Sequence, residues 1–278
     1  MDRVSHGGRA AWENVMVGLV RPARPANVPT AEDLHRWRRQ MFAGVSEWAR
    51  RPGMIGTVDK GHCALLTGLP TPDFNVVLVD SADQTALDAA LADIDAVGAP
   101  ALLAFAAEGI VHAEGLPAAW QLVGQMPIMA IELQTGRTAD PRVRRAAADD
   151  VAAVAGAWAA AYGFDEVVAA DAAELIVSSG PASRSWLLED DGPVVSVVVS
   201  THVEDTVCIW VMATPPQFAR RGYGRALLET VLADAADYGA RLALLGATEA
   251  GYPLYESTGW RTVEPWSIAV SGTSAQFS

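Results

Sequence analysis

The chain has 278 residues, 51% hydrophobic and 19% charged, so it can bury the cores of two ordinary domains and is not globally disordered. Its formal charge of −13 argues against a broad nucleic-acid or anionic-membrane surface, and suits either plain solubility or the steering of cationic amines. The two cysteines, Cys63 and Cys208, lie in separate halves without ligand-spaced histidines, so neither a disulfide framework nor a metal site is expected. With no cleavage pattern of signal type and no uninterrupted apolar run of membrane-spanning length, a reducing cytoplasm is the expected compartment.

In chain order, residues 1–29 mix Gly, Arg and Pro and read as a loose arm with one short helix near Trp12 to Val20. Leu34, Trp37, Met41, Val45 and Trp48 then recur at helical spacing after Thr30, predicting a capped helix over 31–51 that stops before Pro52-Gly53. Strands are predicted at His62–Thr67 and Phe74–Val79, separated by Gly68, Pro70 and Pro72. A helix over Gln84–Val97, a strand over Ala101–Ala106, a short helix over Pro117–Gly124 and a strand over Met126–Leu133 complete a self-sufficient mixed α/β unit, 30–137.

The polar stretch Gln134 to Pro141 marks a boundary, and a second unit occupies 138–278. It starts with a short strand at Arg142–Ala146 and a helix over Val151–Tyr162 whose first turn carries Asp149 and Asp150. A helix over Asp171–Ser178 precedes two strands, Ser185–Glu189 and Val194–Thr201, which flank the turn 190–193 as a hairpin. Thr206–Met212 is an apolar strand that turns at Pro215-Pro216 and runs through Arg220-Arg221-Gly222-Tyr223-Gly224-Arg225 into a helix ending at Gly239. A strand at Leu242–Leu245, a short helix at Tyr252–Thr258 and final strands over Arg261–Val270 follow, then a small polar tail.

The loop between strand and helix has the makings of a phosphate cradle. Glycines admit an anion close to the backbone, and the first N–H groups of a helix have no intrahelical partner. A tight turn with solvated arginines has the same composition, and both readings stand on the loop alone. A Walker cradle is excluded because Gly224 is followed by Arg225-Ala226, and a dinucleotide fingerprint because position 227 is Leu227.

A second signal follows one strand later: Leu254-Tyr255-Glu256-Ser257-Thr258-Gly259-Trp260. In this order the two segments resemble the GNAT superfamily of N-acetyltransferases over roughly Arg142 to Val270. The resemblance implies acetyl-CoA as acyl donor, its pyrophosphate on the backbone amides of Arg220, Arg221, Gly222, Tyr223, Gly224 and Arg225. Its pantetheine would pair with Met212, Ala213 and Thr214 where their strand splays from the next. The family's Gln or Arg three residues before the first glycine is replaced by Ala219, which leaves the backbone contacts intact.

Amine acetylation needs a neutral amine, donors for the developing oxyanion and a proton for the leaving thiolate. The resemblance points to Tyr255 as general acid, and a buried helix face beside Leu254 is the structural alternative. Strand-end amides near Met212 or Ala213 suit the oxyanion. Glu249 is the nearest possible base by sequence; a solvated loop carboxylate and a water chain are the alternatives. His202, at a hairpin end, reads as a surface residue. Trp186, Trp210, Tyr252, Trp260 and Trp266 divide between core and a pocket for an apolar amine, with Trp210 the foremost pocket candidate.

Trp120 to Gly124 lines up with Tyr255 to Gly259 at a constant offset of 135 residues, and no comparable glycine loop precedes the helix over 84–97. The first half thus reads as a degenerate GNAT-like unit, making the chain two such units in tandem on α/β mixed sheets. The expected activity is direct transfer of an acetyl group from acetyl-CoA to a small-molecule or peptide amine at the second unit. The rival is a non-catalytic acyl-CoA-binding or regulatory module. The sequence leaves oligomerisation open.

Overall fold

The computed structural model describes residues 29–59 and 61–271; the helix expected near Trp12–Val20 lies outside the described residues. The first half runs α1 (Ala31–Val45), β1 (Ile55–Val58), β2 (His62–Leu66), β3 (Asn75–Val79), α2 (Gln84–Val97), β4 (Leu102–Phe105) and β5 (Trp120–Glu132). The second runs β6 (Val143–Arg145), α3 (Val151–Tyr162), α4 (Glu166–Val177), β7 (Ser183–Glu189), β8 (Val194–Val203) and β9 (Thr206–Ala213). It ends with α5 (Tyr223–Asp237), β10 (Leu242–Gly246), α6 (Tyr252–Ser257) and β11 (Arg261–Ser271).

Local chemistry accounts for the helix starts. Thr30 closes a capping box on Asp33, while Asp83 and Asp165 accept the first free N–H groups of α2 and α4. The first helix is shorter than its apolar spacing predicts: α1 stops at Val45, and a 3₁₀ turn at 46–48 carries Trp48 into the core. The helix predicted over 171–178 begins earlier, at Glu166, because Asp165 caps it.

All strands join one sheet in the order β1-β2-β3-β4-β11-β5-β10-β9-β8-β7-β6. The order is pseudo-symmetric about the β11–β5 pair, with β1 to β4 on one side and β6 to β10 on the other. β3 and β4 are parallel and joined through α2, β9 and β10 are parallel and joined through α5, and the other neighbours are antiparallel. The two halves exchange their last strands: β5 pairs with β10 of the second half and β11 with β4 of the first, and β5 and β11 pair with each other over nearly their full length.

This exchange corrects two sequence expectations. The first half is not self-sufficient, since the last strand beside β4 comes from the other end of the chain. Residues 120–124 are strand rather than helix, because Trp120, Gln121, Leu122 and Gly124 pair with Ser271, Val270, Ala269 and Ile268 of the distant β11. Trp120 is therefore no counterpart of the helical Tyr255, and the constant offset between those segments has no structural meaning. What relates the halves is the strand order.

α1 packs against β1 and β2 of the first half and against β8 and β9 of the second. Arg38 on α1 is buried and holds Glu264 of β11 with two bonds, Nε–Oε1 at 3.0 Å and a second N–O contact at 2.6 Å, beside a third bond to Glu108 at 2.8 Å. Trp266 Nε1 donates to the same Glu264 carboxylate at 2.9 Å. Cys63 and Cys208 are free and buried in one cluster on this side of the sheet, where burial pushes the Cys63 thiol up to about 12.

Removing one partner of a buried, fully bonded ion pair leaves the other charge uncompensated. Arg38→Met is expected to cost about 3–5 kcal/mol in chemical denaturation. The double change Arg38→Met with Glu264→Gln is expected to recover part of that loss; equal losses in both variants would show that the pairing is not what holds α1 to β11.

Candidate functional site

The ladder between β9 and β10 ends at Ile209 opposite Leu245, although β9 continues to Ala213. Beyond that point β10 has one more residue, Gly246, which pairs with β5, and residues 210–213 have no ladder partner in β10. On its other edge β9 carries a bulge, the register jumping from Val199–Trp210 to Val197–Ala213. Val211 at the bulge has φ of 43°, a strained conformation for a β-branched residue.

Two aromatic side chains of α3, unanticipated from the sequence, hold this bulge. Trp158 Nε1 donates to the Val211 carbonyl at 2.9 Å, and the Tyr162 hydroxyl donates to the Met212 carbonyl at 2.5 Å. Both sit on a helix whose composition is dominated by alanine, so their periodicity signals core packing and says nothing of their polar ends. Ser196 bonds the Ala213 carbonyl at 3.0 Å and the Thr214 hydroxyl at 2.8 Å, fixing the strand end from β8.

The loop after β9 delivers α5 against this strand end. Gly222 occupies the left-handed region with φ of 85° as the residue before α5, and no side chain caps the helix. The first intrahelical bond here is Ala226 N–H to the Gly222 carbonyl at 3.0 Å, so the N–H groups of Tyr223, Gly224 and Arg225 precede it. Gly224 lies close to the strand end: a Cβ there would stand 3.2 Å from both Met212 Cε and Thr214 Oγ1, so these side chains would have to give by a few tenths of an ångström.

The side chains of the cradle diverge. Arg220 and Arg221 are exposed and form no ion pair among the described residues. Tyr223 turns its hydroxyl to Asp190 at 2.5 Å, a carboxylate that Arg142 also holds at 2.7 Å, and Arg225 donates to Ser257 at 2.8 Å. The last bond ties the start of α5 to α6.

Tyr255, on α6, is buried, and its hydroxyl points to Met212 Sδ at 3.7 Å. Burial alone raises its phenol to about 12. Tyr162 is raised too, first by burial and then by the nearby Tyr255 and Asp73. Met212, Tyr162 and Tyr255 thus meet where β9 and β10 part.

The other candidates lie elsewhere. Glu249 is exposed in the loop between β10 and α6, with no hydrogen bond or ion pair among the described residues. Trp186, Trp260 and Trp266 are core residues. Trp210 is partly exposed, donates to Thr201 at 3.0 Å and meets Trp48 edge-on at 6.1 Å. His202 is partly buried rather than a surface residue: it lies against Tyr238, and its pKa is pushed down to about 4, first by burial and then by Arg184.

The corresponding gap in the first half is closed. β3 and β4 pair up to their last residues, Val79 and Phe105, and Ala106 N–H bonds the Val79 carbonyl at 3.1 Å. Where Gly222 precedes α5, the carboxylate of Asp83 precedes α2 and accepts from Thr85 N–H at 3.0 Å. A negative group already occupies that helix start.

The comparisons with known proteins agree with this geometry. A family model described as an acetyltransferase (GNAT) domain matches residues 142–263. No curated protein matches the chain. Among solved structures, a GCN5-related N-acetyltransferase from Kribbella flavida is similar at 18% identity and a TM-score of 0.59, over 87% of this chain and 96% of that one. A Drosophila protein is similar at 13% identity and a TM-score of 0.57, over 90% and 93% of the two chains. An acetyltransferase assigned to the GNAT family from Novosphingobium aromaticivorans is similar at 15% identity and a TM-score of 0.53, over 78% and 90%. These likenesses concern the fold and extend across both halves. Residues 142–263, the segment that matches the acetyltransferase (GNAT) domain model, carry the bulged strand, the glycine loop and Tyr255.

Proposed function

We propose that the chain transfers an acetyl group directly from acetyl-CoA to an amine at the gap between β9 and β10. The single observation that carries this reading is the convergence of three features there. The ladder ends at Ile209, α5 starts without a side-chain cap and brings Gly224 against Met212 and Thr214, and the Tyr255 hydroxyl reaches Met212 Sδ.

In this reading the N–H groups from Arg220 to Arg225 receive the pyrophosphate, with the exposed Arg220 and Arg221 adding charge-assisted contacts. The amides of Met212, Ala213 and Thr214 orient the pantetheine arm, and a strand-end amide faces the developing oxyanion. Acetyl-CoA supplies the activated acyl group as a thioester. Trp158 and Tyr162 keep the bulge in its strained form, so the strand end is preorganised before the donor arrives.

The chemistry of Tyr255 follows from its surroundings. A phenol held up near 12 keeps its proton throughout the neutral range, yet it is a weaker acid than a thiol of ordinary pKa, about 8.5. Complete transfer to a thiolate therefore runs uphill, and Tyr255 serves the departing sulfur as a hydrogen-bond donor. The exposed Glu249 lacks any contact that would support it as the base. The first half is read as a degenerate unit of the same ancestry: it repeats the strand order, but its gap is closed and its helix start carries Asp83.

Two measurements check this reading. Isothermal titration is expected to detect acetyl-CoA binding that Gly224→Val weakens on the order of tenfold or more, because the branched side chain would crowd Met212 and Thr214 at the strand end. Binding by the wild type that is indifferent to this change would place the donor elsewhere. In a thiol-release assay with an amine panel, Tyr255→Phe is expected to lower kcat by about 10- to 100-fold while leaving donor affinity unchanged. The wild-type rate should show no alkaline fall due to Tyr255 until pH approaches about 12; an unaltered kcat would remove Tyr255 from the chemistry.

A further inference from the structure

The side chain of Met212 lies across the features that define the gap. Its Sδ accepts from the Tyr255 hydroxyl at 3.7 Å, and its Cε is 3.2 Å from where a Cβ on Gly224 would stand. The thioether therefore leaves the end of β9 and touches α6 through its sulfur and the first turn of α5 through its methyl group. It is only partly buried, packed onto the apolar cluster that contains Tyr255.

The two partners in this contact differ in freedom. Tyr255 is buried, and its ring is fixed on two sides: a Cβ on Gly251 would stand 2.9 Å from its Cε2, and the Trp260 ring lies 5.9 Å away between centres. Met212 is held by its backbone, whose carbonyl accepts from Tyr162. Its side chain is unbranched and turns about three single bonds, so it repacks where a rigid ring does not.

Met212 Sδ is the only hydrogen-bond partner of the Tyr255 hydroxyl among the described residues. A buried phenol without any partner is costly, and a thioether is a weak acceptor. The hydroxyl has one proton to give, so it does not serve Met212 and the sulfur of an acyl donor at once. In the free protein the phenol already meets a sulfur, and a sulfur is what it meets in the acetyl-transfer reading.

We propose that Met212 sets the affinity of the donor site: its thioether holds the place of the acetyl-CoA sulfur in the free protein and yields the Tyr255 hydroxyl to that sulfur on binding. The proposal rests on the acetyl-transfer reading given above. The exchange replaces one sulfur acceptor by another, so the hydroxyl adds little to donor affinity and acts on the sulfur as it departs. Once the amide has formed, Met212 takes the hydroxyl back and the free thiol is released.

The test is a double-mutant cycle in acetyl-CoA affinity, measured by isothermal titration on wild type, Met212→Leu, Tyr255→Phe and the double variant. Leucine keeps the apolar volume and removes the acceptor. In Met212→Leu the phenol has no partner until the donor arrives, so binding is expected to tighten by about two- to fivefold. In the Tyr255→Phe background the same change is expected to have no effect, because there is no hydroxyl to compete for. With methyl-labelled methionine, the Met212 methyl signal in nuclear magnetic resonance, identified by its loss in Met212→Leu, is expected to shift when wild type is saturated with acetyl-CoA. Met212→Leu that fails to tighten binding, or tightens it equally in both backgrounds, overturns the role of Met212 and leaves acetyl transfer standing. A Met212 signal that saturating acetyl-CoA leaves in place does the same. Wild type that fails to bind acetyl-CoA overturns both readings.

Discussion

The pairing of β5 with β11 is the constraint on which the rest of the molecule depends. Each is the last strand of its half, and each lies on the far side of the other, so neither half can complete its sheet without the other's end. The exchange also fixes what the halves can do for one another. With β10 held against β5, and α1 clamped between β1, β2, β8 and β9 by the Arg38–Glu264 pair, the β2–β3 segment is carried to the bulged end of β9.

Against that pseudo-symmetric frame, the differences between the halves are informative. The strand pair β3–β4 is zipped to its end, whereas β9–β10 opens after Ile209. The helix start after β3 is capped by Asp83, and the one after β9 begins at a left-handed Gly222 with its N–H groups uncapped. One half is open at this point; in the other, backbone pairing runs to the strand ends and a carboxylate caps the helix. The open end has a cost, since Val211 is held in a strained conformation that Trp158 and Tyr162 must stabilise.

Much of this was legible in the sequence where local chemistry decides the outcome. Helices such as Gln84–Val97 and Val151–Tyr162 follow from periodicity and caps, and the glycine loop and the Tyr255 segment announce themselves by composition and order. What escaped depends on partners far away in the chain. Trp120–Gly124 becomes strand only because β11 lies beside it, and the exchange has no local signature. Trp158 and Tyr162 looked like core aromatics because their spacing is that of core aromatics; the indole N–H and the phenol oxygen, not the rings, reach the bulge.

The central claim is a division of labour, in which the donor is held by the second half alone. Hydrogen–deuterium exchange with and without acetyl-CoA tests it most directly, because it reports each segment of both halves in one experiment. The account expects added protection confined to residues 210–214 and 220–226, with the ends of β3 and β4 unchanged. Protection appearing at residues 79–86 or 105–109, with none around the glycine loop, would contradict it.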